Sequence, residues 1–224
     1  MVKQQVNDLA PGTLINGLYR IEELVGHGWD SLYYRAMQLN AERLVAIKII
    51  RPENANIQDL RDIFLDGARL MARLEHQHIV PIYDVDHFGD RPFCVMRYLP
   101  DGSVVDLLDS QRIVSIAEKV RILREVADAL DFAHSIKVFH GDIRTNNLLI
   151  DNRNRLYVSD FETHTDFGTI DVSKQRTSSY MFLAPERLEN APPSVAADVY
   201  SLAATAYSFL HKRPLFVGND LKEH

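Results

Sequence analysis

This 224-residue sequence contains a single cysteine, Cys94, so no disulfide can form within the chain. Cys94 lies in an apolar run, which is typical of a small buried side chain and fits a reducing compartment. Basic residues do not exceed acidic ones, 25 against 31, and the net charge of −6 argues against nucleic-acid partners. No apolar run approaches the ~18 residues of a membrane span, and no signal-peptide pattern opens the chain. We therefore expect a cytoplasmic protein without a membrane segment.

The composition, 46% hydrophobic and 25% charged, is that of a globular protein with a substantial core. Hydrophobic periodicity predicts mainly strands in the first part of the chain and mainly helices after it. The predicted strands cover residues 19–25, 32–37, 44–50, 79–85, 93–98, 148–150 and 156–160, and the predicted helices cover residues 58–74, 116–135 and 198–210. The Pro-Asp-Gly sequence at residues 100–102 is a turn signal and predicts a hinge between two lobes.

Four polar residues stand at positions suited to a phosphate-and-metal site. Lys48 follows the apolar run Leu-Val-Ala-Ile, and Asp160 ends the predicted strand Leu-Tyr-Val-Ser-Asp. Asp142 and Asn147 lie five residues apart, directly before another short apolar strand. A lysine can neutralise phosphate oxygens, while the other three residues supply a base and the oxygen ligands that Mg²⁺ requires. This set predicts phosphoryl transfer.

Two glycines, Gly26 and Gly28, interrupt the strand pattern near the start of the chain. Because glycine has no Cβ atom, a hairpin at this point can bring backbone N–H groups close to phosphate oxygens. Paired glycines also occur in ordinary turns. The functional interpretation therefore depends on the Val-Ala-Ile-Lys strand that follows and ends at Lys48.

From about residue 17 to 216 the sequence resembles the eukaryotic-type Ser/Thr protein kinase family, of the bacterial kind. The motifs occur in the family's order, from the glycine loop through V-A-I-K and the catalytic loop H-G-D-I-R-T-N-N to A-P-E at 184–186 and D-V-Y-S-L at 198–202. The resemblance implies an α+β, two-lobed fold. A short extension at 1–16 would precede a small, mainly antiparallel β lobe with one helix at 17–98 and a mainly helical lobe at 99–224.

The resemblance also implies ATP and Mg²⁺ (or Mn²⁺) as cofactors and a protein substrate. Asp142 corresponds to the catalytic base, Lys48 to the lysine that binds the phosphates, and Arg144 to a basic residue that favours Ser/Thr acceptors. Asn147 and Asp160 correspond to the metal ligands. The residues expected at the nucleotide are Gly26 and Gly28 on its phosphates and Ala46, Met96, Leu99 and Leu149 around its adenine. His140 is expected to be packed core rather than a base.

The metal aspartate requires a choice, because the literal string D-F-G occurs at Asp166 and not at Asp160. A metal ligand must be held by a strand end, and Asp160 ends a predicted strand, whereas Asp166 lies six residues further on among polar residues. The thirteen-residue step from Asn147 also matches Asp160. We therefore expect Asp160 to be the ligand.

Several positions depart from the family pattern. Gly67 stands nineteen residues after Lys48, where the family has a glutamate that pairs with the lysine, and Asp66 beside it faces about 100° away around the helix. A glycine inside a helix costs ~1 kcal/mol relative to alanine. Glu162 replaces the glycine of the metal loop, and Gly141 replaces the arginine that senses activation-loop phosphorylation. We therefore expect low activity and doubtful control by such phosphorylation.

The sequence stops soon after the predicted helix at 198–210, where the family continues with several more helices. The interpretation is an incomplete C-lobe, in a chain that is either a fragment or lacks its usual cover there. Four apolar residues on or after this helix would then form an exposed patch, a candidate dimer or partner surface; they are Leu202, Tyr207, Phe209 and Phe216.

Three functions fit the sequence. The first is a Ser/Thr protein kinase of low activity, because the residues for phosphate, proton and metal are all present. The second is a pseudokinase that binds nucleotide or partners, suggested by Gly67 and Glu162 and by the early stop. The third is a small-molecule kinase of the aminoglycoside or choline type, because H-G-D with Asn147 resembles the catalytic loop of those enzymes.

Overall fold

The structure is a computed structural model that describes residues 9–28, 30–110, 113–161, 180–189 and 191–215. The chain forms two compact units. The first comprises Met1–Ala72 and Pro81–Tyr98, and the second comprises Arg73–Val80 and Leu99–His224.

The first unit is an antiparallel sheet of six strands accompanied by one helix. The strands follow the spatial order β1-β2-β3-β4-β6-β5. They are β1 (Leu14–Ile15), β2 (Tyr19–His27), β3 (Ser31–Gln38), β4 (Arg43–Ile50), β5 (Ile82–Phe88) and β6 (Arg91–Arg97), and the helix is α1 (Gln58–Met71).

Side-chain alternation explains why β4 occupies an interior position of this sheet. Val45, Ile47 and Ile49 are fully buried, whereas Ala46 and Lys48 between them are partly accessible on the opposite face. Successive side chains of a strand point to opposite faces, so one face of β4 packs into the core and the other carries Ala46 and Lys48. The core also contains fully buried aromatic side chains from neighbouring strands, Tyr34 and Phe93.

The second unit is mainly helical. Its helices are α2 (Val104–Asp109), α3 (Ile116–Ser135), α4 (Pro185–Leu188) and α5 (Val195–His211), and its short strands β7 (Leu148–Ile150) and β8 (Leu156–Val158) pair with each other. The long helix α3 begins at the N-cap Ser115, whose Oγ accepts from the N–H of Glu118. Its buried side chains recur at helical spacing and pack against α5 and β8.

Some predicted boundaries were wrong, and long-range contacts explain them. The predicted helix at 58–74 ends at Met71, and the strand predicted at 79–85 is instead β5 at Ile82–Phe88. Arg73–Val80, which lies between them, belongs to the second unit, where Ile79 forms a bridge with Val158. The strand predicted at 44–50 does end at Ile50, so Lys48 lies within this strand and not at its end.

Contrary to the prediction from the sequence, Phe209 does not belong to an exposed apolar patch on the last helix. Its side chain is fully buried, with Nζ of Lys119 lying 5.2 Å from the ring centre. The same Nζ donates to the carbonyl oxygens of Phe209 and Leu210 at 2.8 and 3.2 Å, so a cation satisfies the C-terminal end of α5. Phe216 lies outside the described residues. Over the part of the chain that the structure describes, no helix combines the length and apolarity needed to cross a membrane.

Candidate active site

The second unit brings three of the predicted site residues into direct contact. Nδ2 of Asn147 donates to Oδ2 of Asp142 at 3.0 Å and to the Asp142 carbonyl oxygen at 2.8 Å. Nε of Arg144 lies 3.0 Å from the same Oδ2. A 3-10 turn at Thr145–Asn147 shortens the path between the aspartate and the asparagine, which explains how residues five apart meet. The result is a carboxylate held between an amide and a guanidinium.

The environment of Asp142 alters its acidity. Burial raises the pKa of the Asp142 carboxyl above its ordinary value, and the positive charge of Arg144 opposes that shift. Burial penalises the charged form of an acid, whereas a neighbouring cation favours it. A carboxylate with a raised pKa accepts a proton more readily than a free one at neutral pH.

The ring of His140 is a structural part of this loop. It is fully buried and packs on Phe161, with ring centres 4.5 Å apart. Nε2 lies 2.9 Å from the carbonyl oxygen of Ser159, and Nδ1 accepts from the N–H of Asp142. These partners require a proton on Nε2 and none on Nδ1, and burial lowers the pKa of His140. The imidazole is therefore neutral and committed to two backbone groups.

Asp198 binds the backbone of the loop that contains His140 and Gly141. The sequence did not identify Asp198 as a site residue. Its side chain is 1% exposed. Oδ2 accepts from the N–H of His140 and lies 2.8 Å from Nε2 of His134, while Oδ1 accepts from the N–H of Gly141. The signal available in the sequence was the D-V-Y-S-L motif that Asp198 begins, and the motif alone does not say which groups the aspartate binds.

Asp160 lies two residues beyond β8 rather than at its end. Its φ of +57° is in the left-handed region, which is uncommon for a residue other than glycine and cannot continue a strand. The N–H of Ser159 donates to the carbonyl oxygen of Asn147 at 2.9 Å, and Oγ of Ser159 donates to Oδ2 of Asp160. The two predicted metal ligands are thus linked through Ser159.

In the first unit, Lys48 lies on β4 between Tyr33 of β3 and Cys94 of β6. Its Nζ is 5.4 Å from the centre of the Tyr33 ring and 5.9 Å from that of Phe64 on α1. Ala46 occupies the same face of β4 two residues earlier, and its partner on β6 is Met96. The predicted phosphate-binding lysine and the predicted adenine contact Ala46 therefore share one face of the sheet.

The glycine loop connects β2 to β3. The N–H of Gly28 donates to the carbonyl oxygen of Ser31 at 2.9 Å, which closes a tight turn. A Cβ atom at Gly28 would lie 2.9 Å from Oγ of Ser31, whereas one at Gly26 would reach no closer than 3.4 Å to Tyr33. A side chain would therefore be more crowded by its neighbours at position 28 than at position 26.

The helix α1 bears directly on the departure at Gly67. Asp66 is an exposed residue whose carboxylate lies 3.5 Å from Nη1 of Arg69, so its ion pair is with its own helix. Gly67 is three residues from Phe64, which places it on the face of α1 that carries the ring near Lys48. Asp66 is accordingly a poor substitute for the missing glutamate.

The two remaining predicted adenine contacts belong to the second unit. Leu149 is on β7, opposite Tyr157 of β8 and bridged to Ser103, and Leu99 is a buried residue. Asp166 and Glu162 lie outside the described residues.

Comparison with known proteins gives three findings. Residues 19–224 match the family described as protein kinase domain. The sequence is 30% identical over 211 residues to the probable serine/threonine-protein kinase pknA2 of Bifidobacterium longum, covering 89% of this chain and 27% of that protein. It is 28% identical to serine/threonine-protein kinase PrkC of Bacillus subtilis, covering 93% of this chain and 33% of that protein. The chain spans between about a quarter and a third of the length of these relatives.

Among solved structures, the chain is similar to the Mycobacterium tuberculosis PknI kinase domain. The crystal structure of a single-residue mutant of that domain matches with a TM-score of 0.75 and 25% identity, covering 96% of this chain and 82% of that one. Another crystal structure of the PknI kinase domain matches with a TM-score of 0.74.

Proposed function

The chain belongs to the protein kinase domain family, and on that premise we propose that it transfers the γ-phosphate of ATP to serine or threonine hydroxyls of protein substrates. The family match and the likeness to the PknI kinase domain confirm the predicted α+β, kinase-like fold. The relatives it matches are named serine/threonine-protein kinases, which supports the same acceptor class here. A cytoplasmic location stays a prediction of the sequence.

The observation that carries this proposal is the contact of Asp142 with both Asn147 and Arg144. A substrate hydroxyl must lose its proton to something as it attacks phosphorus, and the Asp142 carboxylate is the base. Its raised pKa makes it the stronger acceptor. Arg144 supplies positive charge beside the Asp142 carboxylate. Without it, the carboxylate would repel the negative charge on the transferred phosphoryl group.

The donor set also fits a magnesium ion. Nδ2 of Asn147 is engaged by Asp142, so the amide is oriented with its oxygen as the group that could bind a cation. The carboxylate of Asp160 is the second oxygen donor, linked to Asn147 through Ser159. Oxygen ligands of this kind suit Mg²⁺, which when bound neutralises charge on the phosphates.

The residues that the sequence predicts at the nucleotide keep those roles in this proposal. Lys48 and the N–H groups around Gly26 and Gly28 are assigned to the phosphates. The adenine contacts are assigned to four apolar residues, Ala46, Met96, Leu99 and Leu149. The names of the relatives favour an active enzyme over a pseudokinase, and the family match over residues 19–224 favours a protein acceptor over a small molecule.

Metal-dependent nucleotide binding is the first expected result. ATP with Mg²⁺ should stabilise the chain by ~2.7 kcal/mol at about 100 times its dissociation constant. The change Asp160→Asn should abolish this gain, because it removes a charged metal ligand. The measurement is a thermal-shift titration with and without Mg²⁺.

The matched control is Asp166→Asn, the same substitution at the literal D-F-G sequence, which should leave the stabilisation nearly unchanged. The reverse outcome would move the metal ligand to Asp166. An absence of stabilisation in the wild-type chain at millimolar ATP and Mg²⁺ or Mn²⁺ would refute the nucleotide site.

A glutamate at position 67 should raise the transfer rate. Gly67→Glu places a carboxylate on the face of α1 that carries Phe64, whose ring is 5.9 Å from Nζ of Lys48. An ion pair of that kind shifts a two-state equilibrium by ~1–3 kcal/mol, or roughly five- to a hundredfold in the competent population. Phosphate transfer to a generic protein substrate is the measurement.

Gly67→Ala is the control for this substitution, since it also removes the helix glycine but adds no carboxylate. It should raise stability by ~1 kcal/mol and leave the rate close to that of the wild type. Equal rates for Gly67→Glu and Gly67→Ala would show that Lys48 is already anchored by another group.

A further inference from the structure

The loop that carries Gly28 is bound by Arg51, the residue that follows β4. Nε and Nη2 of Arg51 donate to the carbonyl oxygen of Gly28 at 3.1 and 2.8 Å, and Nη1 lies 3.6 Å from Oε1 of Glu53. The backbone N–H of Arg51 donates to the carbonyl oxygen of Asp30 at 2.8 Å, which Nδ2 of Asn54 also contacts at 3.4 Å. Arg51 therefore holds two carbonyl groups of the glycine loop.

The hydrogen bonds from Arg51 restrict the conformational freedom that glycine gives to the backbone at position 28. A Cβ atom there would lie 2.9 Å from Oγ and 3.3 Å from the carbonyl oxygen of Ser31, so a side chain at this position would have to displace Ser31. Glycine, however, loses more conformational entropy on ordering than any other residue. A guanidinium donates through a rigid, planar fork, and hydrogen bonds from a charged donor are the stronger kind. Arg51 can therefore order a backbone that glycine leaves free.

We propose that Arg51 is a positioning residue that presets the glycine loop for the phosphates of ATP. The inference rests on the proposed nucleotide site. Because the peptide unit is planar, holding the carbonyl of Gly28 fixes the rotation of the peptide group to which it belongs. A loop already in its binding conformation loses less entropy when the phosphates bind, so the side chain contributes to affinity without touching the nucleotide.

The effect should be confined to the phosphate end of the nucleotide. Ser31 pairs with Ile50, four residues along β4 from the predicted adenine contact Ala46. Four residues of strand span about 13 Å. Loss of the attachment should therefore weaken ATP binding and spare adenosine, whereas general damage to the sheet would weaken both.

The test is isothermal titration of the whole chain with ATP and Mg²⁺ and, separately, with adenosine. We expect Arg51→Ala, which removes both guanidinium hydrogen bonds to the Gly28 carbonyl, to raise the Kd for ATP roughly tenfold and to change the Kd for adenosine less than twofold. Arg51→Lys keeps the positive charge but lacks the planar, forked donor group. Its Kd for ATP should therefore lie between those of the wild type and Arg51→Ala. Hydrogen exchange of the loop amides without nucleotide should quicken in Arg51→Ala.

Arg43→Ala is the control, because it removes an arginine from the other end of β4. Arg43 donates to Gln38 and stacks on Tyr83, away from the loop, so its loss should leave both Kd values unchanged. Wild-type affinity for ATP in Arg51→Ala, or an equal loss for ATP and adenosine, would overturn the inference. Should Arg51→Ala not fold, a wild-type ATP affinity in Arg51→Lys overturns it. Failure of the wild-type chain to bind ATP would instead refute the proposed function.

Discussion

Replacing Asp142 by asparagine should reduce phosphate transfer by ~10²–10⁴-fold, the usual contribution of a positioned general base. Asparagine keeps the shape of the side chain and an oxygen that can accept from Nδ2 of Asn147. It lacks the charge and the basicity needed to accept a hydroxyl proton. The measurement is single-turnover transfer from radiolabelled ATP to a protein substrate rich in serine and threonine.

The same variant should retain nucleotide binding, which separates it from Asp160→Asn, whose defect is in the metal-bound nucleotide. Transfer at the wild-type rate by Asp142→Asn would mean that the base is another group. A wild-type chain that binds ATP with Mg²⁺ but transfers phosphate to no acceptor would instead support the pseudokinase interpretation. An aminoglycoside included among the acceptors tests the small-molecule alternative in the same experiment.

Asp198→Ala should be the most destabilising single change in the second unit, at about 3–5 kcal/mol. Its carboxylate accepts from the N–H groups of His140 and Gly141, and it is also paired with His134. Truncation leaves these buried donors without an acceptor, which costs more than the loss of the bonds themselves. The expected loss in unfolding free energy can be measured by urea denaturation.

The structure offers a matched comparison in Thr205, on the same helix α5, whose Oγ1 donates to the carbonyl oxygen of Ile143 at 3.1 Å. Thr205→Val removes a single neutral hydrogen bond to the same loop and should cost ~1 kcal/mol. A similar cost for Asp198→Ala would contradict its role as the anchor of the loop. Asp198→Asn should also fail to rescue the loop, because an amide presents a donor where the second N–H needs an acceptor.

Local patterns in the sequence were enough to predict most elements of the fold. Alternating apolar residues in β4 and the helical spacing of α3 reflect burial on one face, which is a local property of each element. The short helix α2 was not predicted. It has six residues and is fixed by a capping box between Ser103 and Asp106.

In the candidate site, too, local sequence motifs predicted some features and only the structure showed others. The spacing of Asp142, Arg144 and Asn147 is local, so the motif predicted that they share one loop, whereas their direct contacts are seen only in the structure. The geometry of Asp160 was not predictable, because its left-handed backbone is held by Ser159, which in turn bonds to the carbonyl of Asn147 twelve residues earlier. Asp66 was weighed as a partner for Lys48, and only the structure shows its carboxylate beside Arg69.

By itself, the sequence determined the succession of strands and helices and the residue types available for phosphoryl transfer, because both depend on neighbours within a turn or a strand. Tertiary structure alone decided which buried groups meet across long stretches of chain. Asp198 reaches the N–H of His140 58 residues away, and Arg51 reaches the carbonyl of Gly28 23 residues away. Such pairs leave no periodic signal, since each is selected by the hydrogen-bonding demand of a buried or strained backbone group that exists only once the chain has folded.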